Sequence, residues 1–177
     1  MPTDVRPYNR DVIIRAFEDE DWPHVWPIIR EVVRAKDTFT YDPEMTEEQA
    51  RADWIAPAGG LGLTVVAEDE GKILGTAEMD RNRPGPGAHV STASFMVAAD
   101  ARGRGVGRAL VGYALDWGRK RGYAGMQFNA VAASNVHAVH LYESLGFRIV
   151  GTVPGAFEHP TLGRVGLHVM YHDFAAD

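Results

Sequence analysis

The 177-residue chain contains no cysteine, and that absence removes disulfides, a thiol nucleophile and thiolate-bound metal from consideration. It also lacks any apolar run near the roughly 20 residues that a membrane-spanning helix needs. The first residues, MPTDVRPYNRDVIIRAFEDEDW, carry no long apolar core of the kind a secretory signal has. A cytoplasmic protein with no membrane partner is therefore expected. Surplus positive charge is missing too. The formal net charge is −6, which argues against a nucleic-acid partner, whose docking face is broadly basic. No internal repeat, low-complexity tract or linker interrupts the sequence, so residues 1–177 are expected to form one domain with a sizeable core. Two histidine pairs stand at metal-like spacings, His137 with His140 and His168 with His172. Neither pair has a cysteine or a clear acidic third ligand nearby, and no metal is expected.

Against this acidic background one basic stretch stands out, SFMVAADARGRGVGRAL at residues 94–110. A short apolar run, Phe95, Met96 and Val97, leads into a glycine-rich turn that opens an amphipathic helix. Glycine lets a backbone approach a ligand with no Cβ in the way. The first N–H groups of a helix have no internal partners and point outward as anion receptors, aided by the helix dipole. Arg102, Arg104 and Arg108 add positive charge around the turn. The dinucleotide spacing G-x-G-x-x-G fails, because Arg108 and Leu110 stand where a third glycine belongs, and the P-loop ending Lys-Ser/Thr is absent. What remains is Arg-x-x-Gly-x-Gly at Arg102, Gly105 and Gly107. On the residues alone this reads either as a phosphate cradle, with Gly103 and Val106 in the same turn, or as a glycine-rich strand-to-helix turn with solvated arginines.

The periodicities order the rest. Val12–Ile14 reads as a strand, and Asp21 as the N-cap of a helix with apolar positions at Val25, Ile28, Ile29, Val32 and Val33, which Pro27 should bend or shorten. Thr46 and Gln49 form a capping box for a helix reaching Trp54. Residues 63–68 and 73–79 read as a hairpin around Glu70-Gly71, and His89–Val97 as a fourth strand. A helix from Gly105 to Arg121 ends at Gly122. Then follow a strand at 126–131, a helix at 135–145 closed by Gly146, and strands at 148–153 and 165–171. The order β-α-α-β-β-β-α-β-α-β-β suits an α/β (α+β) architecture: a mixed, largely antiparallel sheet of about seven strands with about four helices on its faces.

The later helix carries a second motif. Asn135, Ala138, Leu141, Tyr142, Glu143, Gly146 and Phe147 spell N-x-x-A-x-x-L-Y-E-x-x-G-F. Together with the turn at Arg102–Gly107, one strand upstream, it resembles the GNAT superfamily of N-acetyltransferases. That resemblance covers residues 88 to 153 closely and the remainder by element order. It implies the GNAT fold with strands four and five splayed apart, and acetyl-CoA as acetyl donor. The freed amides of Phe95, Met96 and Val97 would hold pantetheine, and residues 102–108 (Arg102, Gly103, Arg104, Gly105, Val106, Gly107, Arg108) the pyrophosphate. Tyr142 would protonate the departing thiolate, and Asn135 would bind the pantetheine arm or the substrate. Asn135 also reads as a helix N-cap, and Tyr142 as a half-buried aromatic on a helix face. With no cysteine to carry an acyl group, direct transfer in a ternary complex is expected, and a homodimer is a family-level expectation.

The tail AFEHPTLGRVGLHVMYHDF resembles that of phosphinothricin-type and amino-acid N-acetyltransferases at Ala156, Phe157, His159, Gly163 and Val165. Those enzymes place a glutamate on strand four where this chain has Thr92, and an aspartate where it has Arg164. The segment MQFNAVAASN, with Asn129 and Asn135, is also similar to the fungal enzymes that acetylate proline analogues such as azetidine-2-carboxylate, in which amides line the acceptor site. General-base candidates are Glu78, His89 and His159, with a water chain as the alternative. The loop bearing Phe39 and Tyr41 is expected to roof the acceptor pocket, which Glu78, Thr92 and Asn129 would line. The expected acceptor is a small, amino-acid-like amine. Alternatives are a protein N-terminus or ribosomal protein as acceptor, or an acyl-CoA sensor without turnover.

Overall fold

The computed structural model describes residues 12–176; residues 1–11 of the N-terminal stretch read above lie outside them. Among the described residues seven strands form one sheet in the order β1-β2-β3-β4-β5-β7-β6. They are β1 (Ile13–Ala16), β2 (Leu63–Asp69), β3 (Lys72–Arg81), β4 (Val90–Val97), β5 (Gly125–Ala132), β6 (Arg148–His159) and β7 (Gly163–Asp173). Among the described residues four α-helices accompany them: α1 (Trp22–Ala35), α2 (Glu47–Trp54), α3 (Val106–Lys120) and α4 (Val136–Ser144). The element order is the expected one, and the sheet is antiparallel at every junction except β4–β5.

Two apolar layers sandwich the sheet. In α1 the i, i+3, i+4, i+7, i+8 set Val25, Ile28, Ile29, Val32 and Val33 is buried, with Ala50 and Trp54 of α2 and Met96 of β4 beneath it. On the opposite face Val106, Leu110, Val111, Ala114 and Leu115 of α3 pack on Ala77, Met79, Ala93, Met126 and Phe128. Successive strand residues point to opposite faces. Hence Phe95 and Val97 pack toward α3, whereas Met96, and by alternation Ser94 and Thr92, face the α1–α2 side.

Three local readings change. Asp21 precedes α1 but makes no side-chain cap; its carboxylate instead takes two bonds from Arg15, at 2.7 and 2.8 Å, and one from the Glu18 N–H at 2.8 Å. Pro27 does not shorten α1, which runs all 14 residues. The final strands are longer than expected, because β6 continues through Pro154 and Gly155 by shifting register between Val153 and Phe157. Proline has no N–H for a ladder and is confined to edges and bulges; β6 is the sheet's edge. Among the described residues, no helix is long and apolar enough to cross a membrane, and no group of three metal-ligating side chains is gathered.

Candidate active site

The parallel pair β4–β5 holds register at only two positions, Val90 with Gly125 and Ser91 with Met126. Beyond them β4 runs on to Val97 and β5 to Ala132 without facing each other in register. The diverging strands leave a wedge in mid-sheet, bordered by Thr92–Val97 on one side. A bulge between Phe128 and Val131 adds to the divergence on the other side and sets Asn129 at the surface. Bulges of this kind re-aim side chains beside functional sites.

At the far end of β4 the chain turns into α3. Gly103 and Gly105 both adopt left-handed backbone, at φ 76° and 81°, and Gly105 is the helix N-cap. Such dihedrals cost an L-residue about 1–2 kcal/mol, which is why glycine occupies them. The first helical bond joins the Ala109 N–H to the Gly105 carbonyl at 3.0 Å, so the amides of Val106, Gly107 and Arg108 precede any intrahelical partner. Gly107 has no such dihedral. A Cβ there would lie 3.6 Å from Leu141 Cδ2 and 3.9 Å from Val97 Cγ2, ordinary contacts.

The three arginines are not equivalent. Arg104 donates to Asp69 of β2 at 2.8 Å, and Arg108 to Ser144 Oγ of α4 at 2.7 Å. The exposed guanidinium of Arg102 has no hydrogen-bond or ion-pair partner among the described residues. Neither the Arg104 nor the Arg108 pairing was visible in the sequence, since Asp69 and Ser144 lie about 35 positions from their partners and have no motif of their own.

On the α3 side of the wedge, the Tyr142 ring lies 4.6 Å from Phe128, 5.9 Å from Phe147 and 6.3 Å from Phe95, centroid to centroid. Burial pushes its phenol above the ordinary tyrosine range, so it stays protonated and able to donate. Asn135 is the N-cap of α4: its Oδ1 accepts from the Ala138 N–H at 3.3 Å. That is the capping reading realised, and it leaves the side-chain NH2 as the group available to a ligand.

The α1–α2 side carries a different set. Glu78 of β3 stands opposite Ser94 of β4, and its Oε1 accepts from Ser94 Oγ at 3.0 Å. Burial is the main reason its carboxyl titrates above the usual range; Asp80 adds to the rise and the Ser94 bond opposes it. Thr92 is paired with Asp80. Phe39 and Tyr41 stack at 5.8 Å, and Phe39 sets its edge against Trp54 at 6.3 Å. Both rings are half-buried against the α1–α2 core, so the expected roof residues belong to the packing of that core. The Tyr41 hydroxyl is pushed up to about 12, first by burial and then by the Glu78 and Asp53 carboxylates. Asn129 is tethered, donating to Asn82 Oδ1 at 2.7 Å and accepting from Gln127 Nε2 at 3.0 Å.

The two histidine base candidates do not join this set. His89 is exposed, and its carbonyl accepts from Ala124. His159 Nδ1 accepts from the Thr161 and Leu162 N–H groups, both at 3.2 Å, and so holds the β6–β7 turn. Sequence reasoning passed over Ser94, Asn82 and Gln127. Strand alternation puts Ser94 on the face of Thr92, but only the β3–β4 register reveals Glu78 as its partner.

The chain is similar in sequence and fold to known proteins. Residues 21–147 match the model of the acetyltransferase (GNAT) family. A solved structure described as a GCN5-related N-acetyltransferase from Kribbella flavida is 56% identical, with a TM-score of 0.91 over 93% of this chain and 98% of that one. Protein SPT10 of Saccharomyces cerevisiae is 34% identical over 120 residues, 68% of this chain and 18% of the relative. The phosphinothricin N-acetyltransferase of Alcaligenes faecalis is 35% identical over 102 residues, 55% of this chain and 50% of the relative. The chain therefore spans half or less of these two curated relatives.

Proposed function

The chain belongs to the acetyltransferase (GNAT) family, and from that premise we propose that it transfers the acetyl group of acetyl-CoA to the nitrogen of a small, amino-acid-like amine, directly and within a ternary complex. The observation that carries the donor half is the continuity between the β4–β5 wedge and the open amides of α3. A strand with unpaired amides suits the pantetheine arm, which runs like a further strand, and the turn at Gly103–Arg108 suits the pyrophosphate. When bound, the donor supplies a thioester carbonyl that an amine can attack.

The chain's own groups have separate tasks. The amides of Val106, Gly107 and Arg108 bind negative charge, with the helix dipole adding to the attraction. Arg102, the guanidinium without a partner among the described residues, adds a further donor there. Phe95, Phe128 and Phe147 fix the Tyr142 ring, and its Oη holds a proton for the departing sulfur. Asn135 is anchored by its capping bond, which leaves its NH2 to donate to the arm or the acceptor. Absence of cysteine leaves no thiol for an acyl-enzyme, which supports direct transfer.

Similarity to the Alcaligenes faecalis phosphinothricin enzyme supports an amino-acid-like acceptor, as do the tethered amide of Asn129 and the aromatic roof of Phe39 and Tyr41. Thiol release from acetyl-CoA tests this directly. The amines would be L-proline, azetidine-2-carboxylate, L-alanine, phosphinothricin, putrescine and a peptide with N-terminal alanine. Turnover with the amino acids above the peptide and putrescine is the expected result. Preference for the peptide would move the acceptor to a protein N-terminus, and thermal stabilisation by acetyl-CoA without turnover would leave a sensor.

A further inference from the structure

We propose that Glu78, held from β3 beside Ser94, is the carboxylate that receives the acceptor's ammonium group and removes its proton, a task for which this chain has Thr92 where related enzymes carry a strand-four glutamate. The assignment rests on the N-acetyltransferase reading above and adds the base that reading leaves open.

Three geometric facts carry it. Glu78 and Ser94 are direct cross-strand partners, joined at 3.0 Å, so the carboxylate is fixed at the β4 position next to Phe95. Ser94 and Phe95 point to opposite faces of β4. The Glu78 carboxylate therefore stands on one side of the strand while Tyr142, packed on Phe95, stands on the other. A base and an acid on the two faces of one strand, beside a wedge open between them, is what a reaction with separate entry routes for acceptor and donor requires. The third fact is the surroundings. Glu78 lies between Thr64 of β2 and Ser94 of β4, and its negative charge helps to keep the half-buried Tyr41 hydroxyl protonated. Among the described residues, the ionisable groups that act on Glu78 or on Tyr41 beside it are Asp80 on β3, Tyr41 from the α1–α2 loop and Asp53 of α2. None is a cation. An acidic, partly desolvated corner with no counter-ion among the described residues is a receptor for an ammonium group.

The chemistry balances. An N–H bond of the ammonium breaks and an O–H bond forms on Glu78, whose proton later passes to solvent. The neutral nitrogen bonds the acetyl carbon as the C–S bond breaks. Tyr142 Oη gives its proton to sulfur and is reprotonated, through solvent, by the second proton leaving the nitrogen. The products are the amide, the free thiol of CoA and one proton.

The test compares wild type, Glu78→Gln and Ser94→Ala, using whichever amine of the panel wild type acetylates fastest. Glu78→Gln keeps the shape and the Ser94 contact but cannot accept a proton. We expect kcat/KM near neutral pH to fall about 10²-fold. The acid-side rise of kcat/KM that belongs to Glu78, displaced above the ordinary carboxylate range by burial, should vanish, while the acetyl-CoA Kd stays unchanged. Ser94→Ala should retain the limb and displace it upward, because it removes the one bond that favours the ionised form. Glu78→Gln activity within threefold of wild type along that limb and at neutral pH overturns the assignment. So does a defect confined to KM with the pH limb intact, which would mark Glu78 as an anchor only. Loss of acetyl-CoA binding in wild type would strike the parent reading instead.

Discussion

Gly105 and Gly107 look interchangeable in the Arg-x-x-Gly-x-Gly string, yet the fold makes opposite demands on them. At Gly105 the backbone sits at φ 81°, ψ 5°, and a Cβ would meet nothing within 4 Å. Its replacement by alanine therefore costs conformational strain alone, about 1–2 kcal/mol, less the few tenths regained because the unfolded chain becomes stiffer. At Gly107 the backbone is helical and the new methyl would reach Leu141 Cδ2 at 3.6 Å. There alanine fits and has the better helix propensity, by up to about 1 kcal/mol. Urea denaturation should rank Gly107→Ala at or above wild type, and Gly105→Ala about 1 kcal/mol below it. In melting temperature that separates Gly105→Ala from wild type by about 2–4 °C. Donor affinity should follow the same order. Binding must return an altered turn to its open-amide shape, so Gly105→Ala should lose about 5- to 30-fold in acetyl-CoA Kd. Gly107→Ala should stay within about threefold, since a change below 0.7 kcal/mol is expected of it. The reasoning fails if Gly105→Ala matches wild type in both assays, or if Gly107→Ala proves the more damaging.

The arginines should divide likewise by calorimetry. Arg102→Ala weakens acetyl-CoA binding about tenfold or more, as loss of a charge-assisted contact does, and more so at low salt. Arg104→Ala has a smaller effect, its charge being already balanced by Asp69. Tyr142→Phe should leave acetyl-CoA affinity unchanged and lower kcat about 10²-fold in the thiol-release assay; unchanged turnover would remove Tyr142 as the acid. Acid denaturation should register Asp21, whose carboxyl is held below its ordinary range chiefly by the Arg15 bonds. A depressed carboxylate contributes stability above its unfolded pKa, near 4, and that contribution is lost as pH falls through the folded value. Asp21→Asn should therefore lower stability at pH 7 by about 1–3 kcal/mol and flatten the stability–pH curve below pH 4. An unaltered curve would contradict the pairing.

Legibility differed by element for physical reasons. The 3.6-residue set from Val25 to Val33 and the Thr46–Gln49 box announced α1 and α2, because helices are local and their caps and apolar faces are written in consecutive residues. Gly105 and Gly122 bracket α3 in the same way, both in left-handed backbone. In β6, Pro154 and Gly155 interrupt the strand pattern along the chain, and only the pairing with β7 shows a bulge rather than an end. For the site, the glycine turn and the Asn135–Phe147 string were legible because they follow one another along the chain. The Glu78–Ser94 bond, the Asn82–Asn129–Gln127 tether and the Arg104–Asp69 pair join strands or loops distant in sequence. No spacing encodes them. Asp21 shows the converse, a residue whose local cap signal was outcompeted by a guanidinium that the β1–α1 turn brings alongside.

The central claim is that the β4–β5 wedge and the α3 turn together hold acetyl-CoA, and isothermal titration calorimetry of the protein with acetyl-CoA tests it most directly. The account predicts saturable one-to-one binding that weakens in Gly105→Ala and Arg102→Ala and is indifferent to Glu78→Gln. Absence of binding, or binding that neither turn variant alters, would contradict it.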